Sequence, residues 1–103
     1  MSKIISETQR YALGSGVEVK FISQPFDEKW FLVGVYAQLP NGKVKLTETE
    51  VIKEILGVDS HQMVQGNAIT SESDAITMSN RFSVAMRNGK YDDDIIEEVV
   101  SCG

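Results

Sequence analysis

The chain has 103 residues, 15 acids against 10 bases, 42% hydrophobic residues and 24% charged residues. That length allows one domain with its own core, burying roughly 65% of the unfolded surface. The mixture excludes a disordered polyampholyte, a collagen-like repeat and a disulfide-framed miniprotein.

From the N-terminus, Ile5, Gln9 and Ala12 share one helical face, with Ile4 and Tyr11 beside it, so 2–13 is predicted as a short helix stopped by Gly14-Ser15-Gly16. Val17 to Phe21 alternates apolar with charged residues, the pattern of a half-buried strand. A loop follows at Gln24–Lys29. Trp30–Ala37 is the longest apolar run, eight residues, and is apolar at every position, as expected of a central strand covered on both faces. Asn41-Gly42 is a strong hairpin signal, and Val44–Leu46 returns antiparallel. Residues 17–46 therefore read as a three-stranded meander.

Thr47-Glu48-Thr49-Glu50 spells a capping box. Val51, Ile52, Ile55 and Leu56 then give the apolar stripe of a helix that Gly57 stops. Residues 58–70 read as irregular, with one turn of helix over Ser60–Gln65. In 74–91 the spacing of Ala75, Met78, Phe82, Ala85 and Met86 favours a helix capped by Ser71 or Ser73 and ended at Asn88-Gly89. The alternation around Phe82, Val84 and Met86 leaves a strand over 81–87 as the other reading. Asp92-Asp93-Asp94 opens a last helix, where acids suit the macrodipole, and Ile95, Ile96, Val99 and Val100 form its apolar face. The expected fold is a single α+β domain over 1–103. It has a three-stranded antiparallel meander, four-stranded if 81–87 is extended, packed mainly on one face with three to four helices, the last (92–101) acidic.

The net charge of −5 belongs to that last segment. Residues 1–91 hold ten acids and ten bases, whereas 92–103 hold Asp92, Asp93, Asp94, Glu97 and Glu98 with no base. A base-free gap also runs from Lys53 to Arg81. Such asymmetry bears on association rather than fold. The acids, with Trp30, Tyr36 and Phe26, are the candidate partner-binding residues, since Trp and Tyr are enriched at binding hot spots. A meander also leaves free edges, through which a homodimer can form.

Chemistry at a catalytic or metal centre is not expected. One cysteine (Cys102) and one histidine (His61) fall short of a zinc ligand set. The aspartate run lacks the spacing of a calcium loop. Asp59-Ser60-His61 is a chance tripeptide until geometry makes it more. No cofactor is implied. The single cysteine, and an N-terminus without an apolar leader core, suit a cytoplasmic chain with no membrane segment.

Leu46–Val51 followed by Leu56-Gly57-Val58 resembles the first helix and glycine turn of helix-turn-helix regulators. Lys53 stands where that motif packs a small residue, and the would-be recognition helix over 60–66 has no Lys or Arg to neutralise phosphate. The β-β-β-α order is similar to double-stranded-RNA-binding domains, but the helix start carries Glu48 and Glu50 where those domains are basic. The expected function is a small, non-enzymatic protein–protein interaction module of adaptor or inhibitor type, binding a basic protein through its acidic surface. The alternatives are a nucleic-acid regulator using 47–66, a DNA-mimicking inhibitor, and a small-ligand sensor with a pocket between sheet and helices.

Overall fold

Alternation between faces builds a larger sheet than the meander alone. The computed structural model describes residues 6–46, 49–58, 63–64 and 66–101. Its elements are β1 (Glu7–Gly14), β2 (Val17–Pro25), β3 (Phe31–Gln38), β4 (Val44–Leu46), α1 (Glu50–Leu56), β5 (Met63–Val64), β6 (Asn67–Thr70), α2 (Glu72–Asn88) and α3 (Asp92–Ser101). The strands form one antiparallel sheet in the order β1-β2-β3-β6-β5, with β4 also paired to β3. The expected meander is present as β2, β3 and β4, and the α+β class holds.

One face of the sheet makes the core. Val17, Val19 and Phe21 of β2, Phe31, Val33, Val35 and Ala37 of β3, and Ala68 of β6 are buried there. Against them pack Ile52, Ile55 and Leu56 of α1, Met78 and Phe82 of α2, and Ile95 and Val99 of α3. Phe82 is the hub. Its ring stacks on Phe21 with centroids 5.4 Å apart and meets Tyr11 edge-on at 5.8 Å, geometries that add to area burial. The helix reading of 74–91 is the observed one, with Ser71 as N-cap and Gly89 as the left-handed C-cap.

Four expectations are corrected. Residues 7–14 are a strand, not the second half of a helix. Gln9, Tyr11 and Leu13 turn toward the helices while Arg10 and Ala12 turn away, and Ser15 (φ 54°) and Gly16 (φ 77°) make the tight turn into β2. Such paired positive φ values are those of a two-residue hairpin, so Gly14-Ser15-Gly16 links strands rather than ending a helix.

The cap of α1 is Thr49, whose hydroxyl accepts from the Ile52 N–H at 3.3 Å; Thr47 and Glu48 of the expected capping box lie outside the described residues. Met63–Val64 and Asn67–Thr70 are strands, so the segment that resembled a helix-turn-helix has no second helix among its described residues. Met63–Val64 instead pairs with Asn67–Ala68, and Asn67–Thr70 pairs with β3, which gives β6 ladder partners on both sides at Asn67 and Ala68.

Among the described residues, helices cover β3 on one face only. On the other, Leu32 and Tyr36 are half-buried. Between them Gly34 faces Asn67, where an added Cβ would lie 2.6 Å from the Asn67 Oδ1. No helix among the described residues is long and apolar enough to cross a membrane.

Candidate functional site

The acidic residues sit on α3, which packs over β1 and beside α1. Four β-branched residues give this helix poor intrinsic propensity, so burial of Ile95 and Val99 holds it in place. Pinning that face turns the others outward: Asp93, Asp94 and Glu97 are exposed, and Asp92 and Glu98 are half-buried. Asp92 starts the helix, its N–H donating to the Gly89 carbonyl at 3.4 Å, and its Oδ1 has no hydrogen-bond partner among the described residues. The ion pairs among the described residues are Arg10–Glu18 at 3.9 Å and Glu50–Lys53 at 3.0 Å. Among the described residues none of the five α3 acids is in an ion pair. The last turn of α3 has no basic residue of its own, and the bases that approach the helix, Lys43 and Lys45, lie on its cleft side beside Glu97.

Trp30 and Phe26 belong to a second surface. The Phe26 N–H donates to the Trp30 carbonyl at 2.8 Å, and the Asp27 carboxylate accepts from the Lys29 and Trp30 N–H groups at 2.8 and 3.0 Å. This closed loop between β2 and β3 presents the two aromatic residues at 43% and 55% exposure. Tyr36 does not join them. It lies six residues along β3 from Trp30, roughly 20 Å at strand rise, and on the sheet face turned away from α3. The candidates thus fall on three separate patches.

A hydroxyl and a carboxylate do approach closely elsewhere. The Ser79 Oγ donates to the Glu7 Oε1 at 2.7 Å and accepts from the Gln9 Nε2 at 2.7 Å, while the Tyr11 hydroxyl donates to the Gln9 Oε1 at 2.9 Å. Ser79 is 5% exposed and both functions of its hydroxyl are engaged. This network fastens β1 to α2, and its geometry is that of a tie rather than an activated nucleophile. Among the described residues no group of three or more His, Cys, Asp or Glu side chains is placed to hold a metal ion. His61 and Cys102 lie outside the described residues.

One open cleft of about 750 Å³ lies between the β3–β4 hairpin and α3, lined by Leu39, Pro40, Lys43, Lys45, Ile96 and Glu97 among others. Lys45 is anchored, its ammonium donating to the Val99 carbonyl at 3.2 Å near the helix end. Glu97 therefore borders both the acidic face and this cleft.

Among the described residues one edge of β1 is unpaired, which a helical reading of 2–13 does not anticipate. The signal was there in the alternation of Gln9, Tyr11 and Leu13 with Arg10 and Ala12 ahead of a two-residue turn. No family model matches the chain, and neither a curated protein nor a solved structure matches it.

Proposed function

We propose that this chain is a non-enzymatic protein-interaction module, of adaptor or inhibitor type, that takes a basic protein on the outer face of α3. The observation that carries this reading is the exposure of Asp93, Asp94 and Glu97 on a helix fixed by its opposite face, with no counter-charge paired to them among the described residues. Fixed unpaired charge steers an oppositely charged partner and raises its association rate, and salt screens the effect. The test is parallel capture from the native host with the wild-type chain and with Asp93→Asn/Asp94→Asn/Glu97→Gln. The association rate of the purified captured protein is then measured at low and high salt. A basic partner whose on-rate falls about tenfold with the variant at low salt supports the reading; equal binding by the variant refutes it.

The cleft beside Lys43 and Lys45 favours a second reading, a small-ligand sensor, because its volume lies in the range of ligand sites. Thermal shift against anionic metabolites separates the two readings, since a ligand bound in the cleft raises the melting temperature and a partner-only module shows a flat profile.

A further inference from the structure

We propose that β1 is the seam of a symmetric dimer, pairing antiparallel with β1 of a second copy about a two-fold axis beside Tyr11 and normal to the sheet. This rests on the edge of β1 and not on partner binding by the acidic face of α3, although α3 packs over β1 and so lies beside the seam. Among the described residues β1 pairs only with β2, so one side of an eight-residue strand presents unmatched N–H and C=O groups. The far border of the sheet is the two-residue β5. Natural edges are blunted by shortness, proline, charged side chains or bulges; β1 is eight residues long with no proline or lysine, and its charges are Glu7 and Arg10. Its bulge is confined to the turn end, between Ala12 and Gly14. On the helix-covered face Tyr11 and Leu13 pack against the core yet stay half-buried, and no strand among the described residues lies beyond them.

Symmetry and charge choose the register. A two-fold axis normal to the sheet keeps the helix-covered faces together, so opposed residues must both be odd-numbered or both even-numbered. Centring on Arg10 opposes two guanidiniums. Centring on Gln9 leaves Leu13 beyond the paired strand, and centring on Ala12 sets Arg10 against Gly14 with no acid past it.

Centring on Tyr11 pairs the two tyrosines and sets Gln9 against Leu13 and Arg10 against Ala12. Glu18 already sits beside Ala12 in the β1–β2 register. The guanidinium of each copy therefore reaches across a small alanine to the other copy's Glu18, two strands or roughly 10 Å away between Cα atoms. The existing Arg10–Glu18 pair, at 3.9 Å and exposed, becomes a cluster of two guanidiniums bracketed by two carboxylates. The result is one continuous sheet with every helix on the same face.

The association measurements use the 103-residue chain in reducing buffer. Sedimentation equilibrium is expected to show a dimer, and a monomer at every concentration overturns the proposal. Arg10→Glu and Glu18→Arg are each expected to weaken the dimer roughly tenfold. Mixing them restores it, because each mixed pair regains opposite charges across the seam while the clash within each chain remains. A dimer indifferent to both substitutions overturns the proposal. In a Cys102→Ser background, Tyr11→Cys is expected to oxidise to a disulfide-linked dimer and Thr8→Cys is not, since only position 11 opposes itself; cross-linking at position 8 but not 11 overturns the register.

Discussion

The tie between β1 and α2 makes a quantitative prediction. Ser79→Ala removes one neutral hydrogen bond, worth about 1 kcal/mol net, and one to a carboxylate, worth about 2 kcal/mol when buried. Glu7 is exposed and regains water, so the second counts about half, roughly 1 kcal/mol. Alanine returns about 0.5 kcal/mol as the better helix former. The expected loss is about 1.5 kcal/mol, or roughly 8 °C in melting temperature for a domain of this size. Gln9→Ala also strips the Tyr11 hydroxyl of its acceptor and is expected to cost about 1.5 kcal/mol. Because the Gln9–Ser79 bond is lost only once, the double variant is expected to fall short of the sum by about 1 kcal/mol. Urea unfolding of the four proteins, followed by circular dichroism, measures this coupling. Additivity within about 0.4 kcal/mol refutes the placement of β1 on α2, two segments 70 residues apart in the chain.

Three further substitutions probe the fold. Ser71→Ala removes the hydroxyl that accepts the Asp74 N–H at 3.2 Å and is expected to cost about 1 kcal/mol, read by denaturant midpoint. Gly34→Ala drives a methyl against Asn67 and is expected to cost about 2 kcal/mol, partly recovered when Asn67→Ala is added; no recovery excludes that contact as the cause. Ile95→Ala is expected to cost about 3 kcal/mol and to raise hydrogen exchange in α3 above that in α2, since burial is what holds this helix.

Local pattern was legible where one period was at work. Val17–Phe21, the Asn41-Gly42 hairpin, the long stripe of α2 and the acid-opened α3 follow from side-chain spacing and cap chemistry alone. The errors arose where two periods fit the same letters. Gln9 and Ala12 satisfy a helical spacing as well as Gln9, Tyr11 and Leu13 satisfy a strand, and only pairing with β2 decides between them. Asn67–Thr70 carries almost no periodic signal, because its place is set by pairing with β3, which is remote in sequence. For the candidate site, the acidic residues were readable by composition. Their separation from Trp30 and Tyr36 depends on which face each strand residue takes, and three patches cannot be told from one without the sheet.

The pairing of β3 with β6 also sets an order of assembly. Phe31–Gly34 meets its β6 partners more than thirty residues on, with α1 in between, whereas β1, β2, β3 and β4 follow one another through short turns. Closing the longer loop costs chain entropy that the hairpins do not incur. The four consecutive strands are therefore expected to assemble before β6 docks. Until then the β6 side of β3 stands open at Phe31–Gly34 beside its apolar core face, and that is the interval in which a nascent chain has most need of protection from its neighbours.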